Sequence, residues 1–187
     1  MTAQLDVIVE GYAAERVAGT VSLIRDDAAI IVVDPGMVAN RDVILSPLAA
    51  LGVSPEAVTD VVFSHHHPDH TLHAALFPHA RFHDFQAIYH GDVWDERAAE
   101  GFEVASHTSL IETPGHTEQD ISTVVLTDSG VVVLTHLWWA ADGPLDDPFA
   151  QDPDVLRGSR ERVLALEPVL IVPSHGPAFV PDATTPR

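Results

Sequence analysis

Short apolar runs separated by turn residues dominate this chain, and they read as strands rather than helices. LDVIVEGY from Leu5, TVSLIR from Thr20 and AIIVVD from Ala29, which stops at Pro35 and Gly36, predict an early antiparallel meander. Further strands are predicted over Thr59 to Phe63, Ser109 to Glu112, Ile121 to Thr127 and Val131 to Thr135. The last two are joined as a hairpin by Asp128, Ser129 and Gly130. A final strand, VLIV, starts at Val169.

Fewer segments carry a helical period. Arg41 to Leu51 has it, but Pro47 lacks an amide hydrogen, so the helix is expected either to kink there or to begin there with Ser46 as its cap. Ser54, Pro55 and Glu56 read as one helical turn, and Thr71 to Phe77 as a short helix. The best pattern is Asp152 to Glu167. Asp152 caps it, Pro153 takes the first position, and Val155, Leu156, Val163, Leu164 and Leu166 form the apolar side. Trp138 to Gln151 is the long irregular stretch, a kind of segment that often borders active sites. Strands with interspersed helices suit an α/β sandwich of two face-to-face sheets with helices outside.

At 187 residues the chain suits one domain over 1–187, burying about 70% of its unfolded surface. The tail PDATTPR, residues 181–187, is expected to fray. Nine basic against 28 acidic residues give a net charge of −19, which repels phosphate backbones and makes nucleic acid a poor partner. With no cysteine there is neither a disulfide framework nor a thiolate metal site. The start MTAQLDVIVEGY lacks a basic segment followed by an apolar one, and no run is long enough to span a membrane, so the expected location is the cytoplasm. The partner expected is a small-molecule substrate, and the reading also admits a homodimer.

Chemistry concentrates in HHHPDH, His65 to His70, which contains HxHxDH directly after the strand TDVVFS. An extended backbone places His65, His67 and Asp69 on one side, with His70 beside them. PGHT around His116 and PSHGP around His175 supply further imidazoles at later strand ends. Nitrogen donors with some oxygen fit zinc first, with iron, manganese or cobalt behind it. Of the 12 histidines, His66, His73, His79, His83, His90 and His107 are read as structural or solvated.

These landmarks resemble the metallo-β-lactamase superfamily: VVDPG at Asp34, SHHHPDH at His65, ETPGHT at His116, the strand at Val131 and VPSHGP at His175, in the family's order. VIVEGY and SRERVLALEPVLIVPSHGP further resemble the small group named for metallo-β-lactamase domain-containing protein 1. The resemblance implies a four-layer αββα sandwich. It also implies that His65, His67 and His116 hold one ion while Asp69, His70 and His175 hold another, with Asp34 behind them orienting a ligating imidazole.

The chain departs from the family at LTHLWW. Members usually carry Gly-Asp there, the aspartate bridging both metals, and this chain has Thr135 and His136. A neutral imidazole brings one lone pair and no charge, so two divalent ions would be left with excess positive charge and repel each other. The expectation is one ion, or one tight and one weak, with His136 either ligating or turned aside. Asp142 is a candidate to swing in for the missing carboxylate.

The reaction implied is hydrolysis of a small ester, thioester or lactone by ion-activated water, with Asp69 as the catalytic carboxylate. Trp138 and Trp139 are candidate walls of an apolar substrate pocket. Two alternatives stand beside this: a non-haem iron oxidoreductase of the persulfide dioxygenase type, built on Asp69, His70 and His175, and a metal-binding protein with weak or no catalysis in which His136 fills the water's place.

Overall fold

The alternating runs pair into two mixed sheets, and the computed structural model describes residues 2–187. In chain order the strands are β1 (Gln4–Val9), β2 (Tyr12–Ala13), β3 (Val17–Ala18), β4 (Val21–Asp26), β5 (Ala29–Val33), β6 (Asp60–Val62), β7 (Arg81–His83), β8 (Ala87–His90), β9 (Val93–Glu96), β10 (Glu103–Ala105), β11 (Thr108–Glu112), β12 (Ile121–Thr127), β13 (Gly130–Thr135) and β14 (Leu170–Pro173). The α-helices are α1 (Asp42–Ala50), α2 (Pro68–Thr71) and α3 (Pro153–Leu164). One sheet has the order β1-β4-β5-β6-β7-β8-β9, the other β10-β11-β12-β13-β14, and β2 pairs with β3 alone.

Three apolar clusters define four layers. Ile24, Ile31, Val33 and Val62 of the first sheet meet Leu110, Ile121, Val125 and Leu134 of the second in the central cluster. On the outer face of the first sheet, Leu23, Val32 and Val61 pack on Ile44 and Leu48 of α1. Outside the second sheet, Val133 and Ile171 pack on Leu156 and Val163 of α3. This is the αββα sandwich.

β5 and β6 run parallel, as do β13 and β14, while β12 is antiparallel to both β11 and β13. The carboxyl ends of β11, β13 and β14 therefore share one edge of their sheet, and those of β5 and β6 share one edge of theirs. The segments carrying Asp34, His65, His116, His136 and His175 follow those five ends. Among the described residues no helix is long and apolar enough to cross a membrane.

Several local expectations need correction. α1 runs unbroken from Asp42 through Pro47, so Ser46 is not its cap; Asn40 Oδ1 instead accepts from Asp42 N at 3.0 Å. Burial of Ile44 and Leu48, one turn apart across the proline, outweighs the single ladder bond Pro47 cannot make. The Thr71 to Phe77 segment is not one helix: α2 ends at Thr71 and a 3₁₀ turn follows at Ala74–Leu76. α3 has the expected Asp152 cap, accepting from Asp154 N, but Val155 is exposed and the buried side is Leu156, Ser159, Arg160 and Val163. The tail is tied down, since Thr185 is buried and Pro186 O accepts from Trp138 Nε1 at 2.9 Å. Strands β7 to β10 lie outside the expected runs, being only three or four residues long with mixed polarity.

Candidate metal centre

Pro68 shapes the motif. The residue before a proline avoids helical geometry, and His67 is extended at φ −69° and ψ 148°, while Pro68 opens α2 as its first residue. The alternation expected to carry Asp69 therefore stops at His67. Asp69 and His70 reach the centre from a helical turn, not from an extended strand.

That turn is seated by two glycines. A Cβ on Gly36 would lie 1.6 Å from Asp69 O, and one on Gly19 would lie 2.6 Å from Asp69 O and 2.9 Å from the His70 ring. No other residue permits this approach.

Five imidazoles and one carboxylate of the expected ligand set come together, and His136 sits among them. Ligand atoms of His65, His116 and His136 lie within 4.8 Å of one another, and those of His70, His136 and His175 do likewise. His67 Nδ1 lies 3.1 Å from His116 Nε2, and Asp69 Oδ2 lies 3.3 Å from His70 Nε2 and 3.7 Å from His175 Nε2. His136 is thus common to both triples.

Outer partners set the tautomers. A carboxylate or carbonyl can only accept, so the nitrogen facing it carries the hydrogen. His70 Nδ1 donates to Asp34 Oδ2 at 2.9 Å, His116 Nδ1 to Asp147 Oδ2 at 2.9 Å, and His175 Nδ1 to Ala18 O at 3.1 Å. Each of these rings turns Nε2 inward. His65 Nδ1 meets Ser64 Oγ at 3.1 Å and also points Nε2 inward. His136 Nε2 faces His175 Nε2 at 3.2 Å, yet its Nδ1 has no partner.

Two buried imidazole nitrogens, His65 Nε2 and His136 Nδ1, lack any hydrogen-bond partner, and His70 Nε2 has only the contact with Asp69 Oδ2 at 3.3 Å. The lone pairs of His65 and His136 are left without a donor, and a cation would satisfy them together while replacing the proton that His70 Nε2 turns toward Asp69, so the donor set fits a borderline divalent ion. Burial, reinforced by the neighbouring imidazoles, holds His65 and His136 well below the ordinary histidine pKa. Burial also pulls His70 down, but Asp34 and Asp69 override it and raise the ring to about 9. Asp69 is pushed up by burial, and contact with His70 outweighs that and holds it at about 2.

The loop after β13 supplies what the sequence did not reveal. Asp142 is exposed and does not enter the centre; Asp147 is the buried carboxylate there, and besides His116 it accepts from Trp139 Nε1 and Phe149 N, each at 2.9 Å. Trp138 is no pocket wall: it is fully buried in the cluster under α3, 6.3 Å from the Phe179 ring and 5.7 Å from the Arg160 guanidinium. Trp139 does border the centre, its ring 5.6 Å from His175 and 6.2 Å from His116. The histidines set aside earlier have structural or surface places. His66 pairs with Asp84, His73 with Gly36 O, His83 with Asp60 and His107 with Asp26, while His79 and His90 are exposed.

Comparison with known proteins places this geometry. The family model described as the metallo-beta-lactamase superfamily matches residues 14–84. Metallo-beta-lactamase domain-containing protein 1 of Xenopus laevis is 33% identical over 196 residues, covering 92% of this chain and 79% of the frog protein. The Homo sapiens protein of the same name is 38% identical over 163 residues, covering 80% of this chain and 59% of the human one. Among solved structures, a metallo-beta-lactamase-like protein of Thermotoga maritima superposes with a TM-score of 0.76 at 20% identity, covering 97% of this chain and all of the other. An N-acyl homoserine lactone hydrolase with its product at the catalytic metal center gives 0.67 at 19% identity, covering 93% of each chain.

Proposed function

Because this chain belongs to the metallo-β-lactamase superfamily, we propose that it is a metal-dependent hydrolase of a small ester, thioester or lactone, with zinc as its ion. The observation that carries the reading is the set of inward, partnerless imidazole nitrogens converging beside Asp69. His65, His67 and His116 would hold one ion, and Asp69, His70 and His175 a second. A bound ion would make water more acidic and polarise the oxygen under attack.

The chain's own residues do the rest. Asp69, ionised across the neutral range, orients the attacking water, takes its proton and returns it to the leaving group. Asp34 and Asp147 hold two of the rings in the tautomer that faces inward. His136 cannot replace a bridging carboxylate: it is neutral, nothing fixes its Nδ1, and a neutral ring has one lone pair to offer to one triple at a time. The centre would accordingly hold one ion tightly, with a second weakly held or absent. Lactones belong first in a substrate panel because hydrolases of that class share the fold.

The test is ion content by elemental analysis with hydrolysis of a panel of esters, thioesters and lactones, on the native chain, Asp69→Asn and Asp69→Ala. Turnover is expected to collapse in both variants with the circular dichroism of the fold retained. Unchanged turnover removes Asp69 from the mechanism.

A second reading is favoured by one observation, the stacking of His136 on His116 at 3.9 Å between ring centroids in the middle of the cluster. There His136 fills the place of the water and the chain binds metal without turnover. His136→Asp separates the two: gain of hydrolysis supports metal binding with weak or no catalysis in the native chain, and loss supports the enzyme.

A further inference from the structure

Phe149 is exposed although its backbone is firmly placed. Its side chain is 59% exposed, and its backbone N is fixed to Asp147 Oδ1 at 2.9 Å. Exposed aromatic rings on an anchored backbone keep apolar area in water, a standing cost that a ligand can relieve.

The ring's neighbours say which ligand. Phe149 lies 5.1 Å from the His116 ring, 6.1 Å from the His67 ring and 6.3 Å from Trp139, with which it is stacked at 29°. Phe149 thus lies beside His67 and His116, and Trp139 beside His116 and His175. Asp147 ties the wall to the centre, since one carboxylate accepts from His116, Trp139 and Phe149 together. From α3, Arg160 grips the same loop through Leu137 O, Pro144 O and Leu145 O at 2.9, 2.6 and 2.8 Å. A wall so pinned is formed before its ligand arrives.

We propose that Phe149 and Trp139 form a preset apolar wall that receives the hydrocarbon part of the substrate, so that the substrate class is carbonyl compounds bearing an apolar acyl group. This rests on the hydrolase reading and narrows it. The net charge of −19 agrees, because it disfavours polyanionic alternatives while leaving a single carbonyl with an apolar tail unaffected. Trp138 takes no part, being sealed under α3.

The test uses zinc-loaded protein titrated calorimetrically with acetate, butanoate, hexanoate and octanoate, which share a metal-seeking head and differ only in tail length. Ion content and hydrolysis are measured on the same samples. Affinity is expected to rise about two- to fourfold per added methylene over the first several carbons. Phe149→Ser should flatten that slope and Phe149→Leu should keep most of it, the loss in Phe149→Ser growing with tail length from acetate to octanoate. A flat slope in the native chain, or the same slope in Phe149→Ser, overturns the proposal. If ion content and hydrolysis fail while the slope and its loss in Phe149→Ser persist, the wall stands and only the hydrolase reading falls.

Discussion

Asp34 and Asp147 perform one task on two flanks of the centre, yet they reach it by different routes. Asp34 leaves the end of β5 at φ 53° and is locked on both oxygens, by Ser64 N at 2.7 Å and His70 at 2.9 Å. Its flank is seated by the backbone approaches at Gly19 and Gly36. Asp147 hangs on an irregular loop and gathers His116, Trp139 and Phe149, with Arg160 holding the loop from behind. One flank is made rigid by sheet and turn, the other by a single carboxylate. The first holds the only carboxylate among the proposed ligands, Asp69, and the second is all imidazole.

The largest effect is expected where the packing leaves no slack. In Asp34→Asn one amide hydrogen must face either Ser64 N or His70 Nδ1, both donors, so metal affinity should fall about 10- to 100-fold in a competitive chelator titration, with a lower melting temperature. Asp147→Asn meets the same conflict, but Arg160 still holds the loop through three backbone carbonyls, so the loss should be nearer tenfold. If Asp147→Asn proves the worse of the two, the ranking of the two flanks is wrong.

A third buried pair sharpens the contrast because it lies at the start of β6 and touches none of the proposed ligands. Asp60 Oδ1 accepts from His83 Nε2 at 2.7 Å. Burial depresses His83 below its ordinary 6.5, and burial raises Asp60, which the His83 and Thr59 hydrogen bonds outweigh to hold it below its ordinary 3.8. The unfolded chain therefore takes up protons that the folded one refuses as pH falls below 6.5 and then below 3.8, so this pair's stability is present at neutral pH and lost in acid. Asp60→Asn should lower stability by about 2 kcal/mol in urea titrations at pH 7, soften the acid transition and leave metal affinity unchanged.

The same contrast explains what the sequence could and could not disclose. Asp34 was legible because it ends an apolar strand at a Pro-Gly turn, and the histidines because each follows a strand end. The central sheets were legible for the same reason, through runs such as AIIVVD. Asp147 was not, since nothing in DGPLDDPFAQ separates a buried carboxylate from its exposed neighbours until the loop is folded. Trp138 and Trp139 are adjacent and chemically alike, and only tertiary packing sends one under α3 and the other to the centre. The helical placement of Asp69 needed the proline effect on both sides of Pro68 to be applied at once.

The most direct measurement is the number of ions retained by protein purified without chelator and weighed intact by native mass spectrometry, for the native chain and for His136→Asp. One tightly held ion in the native chain and two in His136→Asp is the predicted result, because the added carboxylate supplies the charge and the second oxygen that an imidazole lacks. Two tight ions in the native chain, or none, would contradict it.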